Sequence, residues 1–88
     1  MATVTLRAPL KDLAGGASEV EVAGATVGDA IRALESMHPK LRGWILDEHG
    51  AVRQHVNVFV NGERMREDAP VAPGDRLYVL PSISGGSS

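Results

Sequence analysis

Twice along this chain the spacing of apolar residues changes, and that constrains the fold more than any other feature of the sequence. "TVTLRA" alternates, with Val4, Leu6 and Ala8 on one side and Thr3, Thr5 and Arg7 on the other. "SEVEVAG" alternates again, with Val20 and Val22 inward. A period of two belongs to a strand half-buried in a sheet. In "ATVGDAIRALESMHPK" the spacing switches. Val27, Ala30, Ile31, Leu34 and Met37 recur at three and four residues, the apolar stripe of an amphipathic helix. Past Pro39 the period of two returns in "VNVFVNGERM" and "RLYVLP". One helix set between strands must lie on one face of their sheet, because neither can bury its apolar side alone.

Local signals set the boundaries. Thr26 is a good helix N-cap, and Asp29, three residues on, suits both a capping box and the positive helix end. Pro39 stops the helix near His38. Gly15-Gly16 in "LKDLAGGAS" marks a turn between the first two strands, which pair as a hairpin. "KLRGWILDEHG" offers a short helical turn that packs Leu41, Trp44 and Ile45 over one end of the core, and "DEHG" reads as a turn. Val56, Val58 and Val60 share one face of the third strand, with Asn57, Phe59 and Asn61 on the other. Asn61-Gly62 is a strong tight-turn signal. "REDAPVAPGD" reads as a polar loop, and Leu77 and Val79 point inward from the last strand.

Composition removes several function classes. The 88 residues carry a formal charge of -2, with one Phe, one Tyr and one Trp, which argues against nucleic-acid binding. There is no cysteine, hence no disulfide, thiolate site or thiol nucleophile. No stretch reaches the roughly 20 apolar residues of a membrane span, so no membrane partner is expected. "MATVTLRAP" lacks a basic-then-apolar leader, which predicts a soluble, cytoplasmic protein. His38, His49 and His55 lack zinc-ligand spacing, so no metal site is expected. Asp47-Glu48 and Glu67-Asp68 are neighbours in polar loops, where a solvated turn explains them better than a catalytic pair. Trp44 reads as a packing residue. Lys11 and Lys40 are the only lysines, which limits self-conjugation.

The order of elements is strand, strand, helix, strand, strand, free tail. The last strand is long and apolar and belongs in the middle of the sheet, parallel to the first. That is an α+β β-grasp: a mixed sheet of four to five strands with one main helix on one face. The expected organisation is a single domain over residues 1–81 and a flexible tail over 82–88.

The strand "HVNVFVNGERM", the loop and strand "APVAPGDRLYVLP" and the end "SISGG" together resemble the small ubiquitin-like sulfur carriers. These include the thiamine sulfur carrier, the molybdopterin synthase small subunit and the cysteine-biosynthesis carrier. "VRQHVNVFVNGERMR" is most similar to the last of these. The resemblance covers nearly the whole chain. It implies a carrier with no catalytic site and no bound cofactor. A ubiquitin-activating-type enzyme would adenylate the Gly86 carboxylate with ATP. Sulfide or a persulfide would then convert it to a thiocarboxylate. A partner enzyme would pass that sulfur into cysteine, a cofactor or a secondary metabolite. Ile83, Ser84 and Gly85 would thread the tail into the activating enzyme, where glycines allow close passage along enclosing walls.

Ser87 and Ser88 depart from that pattern. While they are attached, the Gly86 carbonyl is an amide and cannot be adenylated. They read as a native extension removed by a peptidase, with a metallopeptidase as the implied partner. Vector-derived residues, or a plain flexible end, are the other readings. A Gly-Gly by itself is weak, since Gly/Ser ends are common. Two further functions stay open: a ubiquitin-like modifier joined through Gly86 to lysines of other proteins, and a β-grasp binding subunit that is never activated. Phe59, Tyr78 and Leu80, with Arg7 and Arg76 as a polar rim, would form a docking patch for the activating enzyme on the sheet face away from the helix. Scattered surface hydrophobes are the plain alternative.

Overall fold

A computed structural model describes residues 1–81 of the chain. The expectations for Ile83, Ser84, Gly85, Gly86, Ser87 and Ser88 lie outside the described residues. In chain order the elements are β1 (Ala2–Leu6), α1 (Leu10–Leu13), β2 (Glu19–Val22), α2 (Val27–Met37), a 3-10 turn (Pro39–Leu41), β3 (Val56–Val60), β4 (Glu63–Met65) and β5 (Arg76–Pro81). The five strands form one mixed sheet in the order β2-β1-β5-β3-β4. β5 is central, parallel to β1 and antiparallel to β3. This is the β-grasp expected from the sequence.

The period of two sorts the sheet as anticipated. Ala2, Val4, Leu6, Val20, Val22, Val56, Val58, Val60, Leu77 and Val79 are all buried on the helical side. From α2 they meet Val27, Ala30, Ile31 and Leu34, each fully buried. Burying a side chain of this size stabilises the fold by about 1.5–3 kcal/mol relative to exposure. Thr26 caps α2, its Oγ1 accepting from the Asp29 amide at 3.1 Å, an interaction worth about 1 kcal/mol. His38 ends the helix ahead of Pro39. Asn61 and Gly62 both take positive φ, 52° and 90°, the type I′ geometry that joins β3 to β4.

Four local expectations are corrected. Ala8 is exposed rather than inward, because β1 ends at Leu6. The turn expected at Gly15 and Gly16 is present, both with positive φ, and "LKDL" ahead of it adds a one-turn helix that buries Leu10. Trp44 does not pack with its neighbours: Leu41 and Ile45 are fully buried, but Trp44 is 46% exposed. The loop between β4 and β5 is more than polar surface, because it straps the start of α2. The Val27 and Gly28 amides, orphaned at a helix start, donate to the carbonyls of Ala69 and Glu67, and the Val71 amide donates to that of Ala25. Ala69 and Val71 are buried beneath this strap. Glu67 is not merely solvated either, since its Oε1 accepts from the Val52 amide at 2.9 Å.

Three loop carboxylates are held below their ordinary range by bonds that favour the charged form. Asp47 accepts from the amides of Ala51 and His49. Glu67 accepts from Val52, and Asp75 from the Ala72 amide and the Asn61 side chain. A carboxyl whose folded pKa lies below its unfolded one stabilises the fold above the unfolded value and loses that contribution as pH falls through the folded one. The thermal midpoint is therefore expected to hold above about pH 5 and to fall on acidification through about pH 4 and below. Melting curves from pH 7 to pH 2 check this. Asp75→Asn should flatten the acid limb, and an unchanged limb in Asp47→Asn, Glu67→Gln and Asp75→Asn alike would refute the assignment.

Candidate functional site: the open face of the sheet

α2 covers one face of the sheet, and the alternate residues of every strand stand on the other. Strand register lines up five of them in one row: Glu19, Thr5, Tyr78, Phe59 and Arg64. Phe59 and Tyr78 are direct antiparallel partners, each half-buried, and such facing aromatic pairs lie in side-chain contact. Leu80, also half-buried, faces Asn57 in the neighbouring row. Arg76 is exposed opposite Thr3. Arg7 is exposed directly after Leu6, the last paired residue of β1. Four of the five patch residues named from the sequence, Phe59, Tyr78, Leu80 and Arg76, thus share one face, while Arg7 lies just past the end of β1, outside the register.

The register adds residues that the sequence reading did not include. Glu19 and Glu21 put two carboxylates on the β2 edge. Arg64 puts a cation on the β4 edge. The face is polarised across its width, acidic at one side and basic at the other. The spacing held this signal. A two-residue turn at Asn61-Gly62 forces Val60 opposite Glu63, hence Phe59 opposite Arg64. Thr5 lies between Glu19 and Tyr78, and its Oγ1 is buried with no hydrogen-bond partner. Where β5 starts, Asn61 Oδ1 accepts from the Arg76 amide at 3.0 Å and Asn61 Nδ2 donates to Asp75 at 3.0 Å, which fixes the strand beside Tyr78.

This arrangement suits recognition of a protein surface: an apolar aromatic centre and a charged rim. Among the described residues no group of histidine and acidic side chains is placed to hold a metal ion. His38, His49 and His55 lie apart in the chain, the first as the C-cap of α2 and the second 79% exposed. Among the described residues no helix is long and apolar enough to cross a membrane.

Comparison with known proteins agrees with this geometry. The ThiS family matches residues 4–86. Small archaeal modifier protein 1 of Haloferax volcanii is 41% identical over 83 residues, covering 92% of this chain and 95% of the relative. The sulfur carrier protein CysO of Mycobacterium tuberculosis is 30% identical over 90 residues, covering 96% and 97%. Among solved structures, the Amycolatopsis orientalis BexX/CysO complex contains a chain that superposes with a TM-score of 0.89 at 33% identity, covering 98% of this chain and all of that one. The Haloferax volcanii SAMP1 crystal structure gives 0.82 at 39%, covering 97% and 98%. With the sheet order, the central last strand and a match over nearly the full length in agreement, the chain belongs to the ThiS family of ubiquitin-like sulfur carriers and modifiers.

Proposed function

We propose that this protein is a sulfur carrier, the substrate of an activating enzyme rather than an enzyme itself. The observation that carries the reading is the family match ending at Gly86, on a chain whose central strand ends at Pro81. Once Ser87 and Ser88 are removed by a peptidase, the Gly86 carboxylate attacks the α-phosphorus of ATP in the partner's site and pyrophosphate leaves. Sulfide then attacks the acyl carbon of the adenylate and AMP leaves, giving the thiocarboxylate. A sulfur-transfer enzyme passes that sulfur into the synthesis of cysteine, a cofactor or a secondary metabolite. The test is the intact mass of the untagged chain from its own host. A species ending at Gly86, part of it heavier by one oxygen-to-sulfur exchange, is expected. A species ending only at Ser88, with activating enzymes present, would overturn the reading.

The modifier reading has its own support, in the 41% identity to a small archaeal modifier. The same adenylate would acylate a lysine amine of another protein. High-mass conjugates in lysate that vanish on deleting Gly86 would establish it.

In either case the open face is where the activating enzyme docks. Central aromatic and arginine anchors carry most of such binding energy, at about 2 kcal/mol or more each. Tyr78→Ala and Phe59→Ala are each expected to lower kcat/KM for adenylation by about 30-fold, while Lys40→Ala, on the helical side, leaves it unchanged. Equal rates for all three variants would remove the docking role.

A further inference from the structure

Glu19, Thr5, Tyr78, Phe59 and Arg64 stand in one row across all five strands of the open face. The row carries a carboxylate at one end, a guanidinium at the other and no charge between them. Glu21 adds a second exposed carboxylate to the β2 edge. Four strand spacings separate the two ends, about 19 Å, while salt screens exposed charges beyond about 8–10 Å. The ends therefore cannot neutralise each other within one molecule. Among the described residues the ion pairs are His49–Glu48 and Arg66–Glu67, and neither involves Glu19, Glu21 or Arg64.

A surface of this kind is complementary to itself. Turning a second copy by half a revolution about an axis along β5 lays its open face on the first with the row reversed. Glu19 of each copy then stands over Arg64 of the other, and symmetry makes that contact twice. Phe59 stands over Thr5, a ring against a small side chain, and Tyr78 meets Tyr78 at the axis. The strands of the two sheets keep nearly the same direction, as aligned sheets do when they pack. Other symmetric pairings fail. An axis across the strands puts Glu19 on Glu19 and Arg64 on Arg64. Pairing through the β2 edge sets Glu19 and Glu21 of one copy against those of the other. The β4 edge is only three residues long.

We propose that two copies of this chain associate face to face through the open sheet, about a two-fold axis along β5 that sets the acidic β2 edge of each over the basic β4 edge of the other. The contact is small. Strands of five residues run about 17 Å and the five of them span about 19 Å, so the pair hides about 650 Å² in all. Areas of that size hold transient complexes. Arg76 works against the association, because it lies on β5 itself and meets its own counterpart near the axis. The expected Kd is about 0.3 mM. One consequence rests on the docking role proposed above: paired copies hide Phe59 and Tyr78 from the activating enzyme, so adenylation slows where the carrier accumulates. The association itself is measured with no enzyme present and stands or falls separately.

The test is sedimentation equilibrium of the full chain at low salt, from about 0.02 to 2 mM, which brackets such an affinity. Amide NMR shifts that change with concentration locate the contact. A reversible monomer–dimer equilibrium is expected, with shifts centred on Thr5, Glu19, Phe59, Arg64 and Tyr78. Glu19→Arg and Arg64→Glu each turn two attractions into two repulsions and should each weaken the dimer about tenfold. Mixed one to one, the two variants should associate with each other, because every edge contact between them is again of opposite sign. Both substitutions in one chain should restore the parent affinity. Arg76→Gln should tighten the dimer, while Lys40→Ala changes nothing. Circular dichroism confirms that each variant is folded. A parent that stays monomeric at the highest concentration, leaving the face to a different protein, would overturn the proposal. So would folded single variants that dimerise like the parent, a mixture that fails to associate, or shifts centred on the helical side.

Discussion

A chain ending at Gly85 is expected to yield no thiocarboxylate with its activating enzyme, ATP and sulfide, while melting within about 3 °C of the parent. The missing residue withdraws the carboxyl carbon by about 3.5 Å. Displacements near 1 Å already cost about a hundredfold in rate, so the reaction falls below detection. The buried core, as described, runs from Ala2 to Val79, and nothing in it is touched. Two companions sharpen the comparison. A chain ending at Gly86 should be adenylated at once, and the 88-residue chain only after Ser87 and Ser88 are cut away. ATP–pyrophosphate exchange reads all three. Adenylation of the uncut chain, or full activity at Gly85, would show that the Gly86 carboxylate is not the reacting group.

Leu77→Ala is expected to destabilise the domain by about 3 kcal/mol. Leu77 is fully buried in the central strand, opposite Val4 of β1 and Val60 of β3. Both walls of the resulting cavity are strands, which cannot collapse into it without breaking register. Stability of a domain this size is only about 5–15 kcal/mol, so the melting midpoint should drop by about 12–24 °C. Tyr78 is the next residue, so loosening β5 also disturbs the docking face. Leu80→Ala, three residues on and half-buried on the open side, should cost about 1 kcal/mol or less. Urea titration distinguishes the two. A loss below about 1 kcal/mol for Leu77→Ala would contradict the packing described.

The sequence carried the frame of the fold because each strand is buried on one side only. Valines at 56, 58 and 60 leave a single orientation for that strand, and the cap at Thr26 and stop at Pro39 fence the helix. What it could not carry depended on contacts between distant segments. Trp44 stands exposed because Leu41 and Ile45, on either side of it in a tight turn, already fill the space against the core. Ala69 and Val71 sit among prolines and charges and read as surface until α2 is placed beneath them. Phe59, Tyr78, Leu80 and Arg76 were legible as one face through alternation alone, whereas Arg7 lies past the end of β1. Their neighbours Glu19 and Arg64 required the register across all five strands, which joins residues far apart in the chain.

β5 completes the sheet from its centre, holding β1 on one side and β3 on the other. Without it β1 and β2 form one isolated hairpin and β3 and β4 another, and isolated hairpins are marginally stable in water. A nascent chain that stops anywhere before Arg76 therefore has no sheet to lay its helix on. Folding waits for β5 to be made, and it depends on pairing between the first and last strands, the slowest kind of contact to form. Incomplete translation products stay unfolded and open to proteolysis, so the pool of folded molecules is restricted to those made past the last strand. For a protein whose proposed chemistry lies at Gly86, the topology works as a length check: a partner that recognises the finished sheet meets few chains lacking the residues it is to act upon.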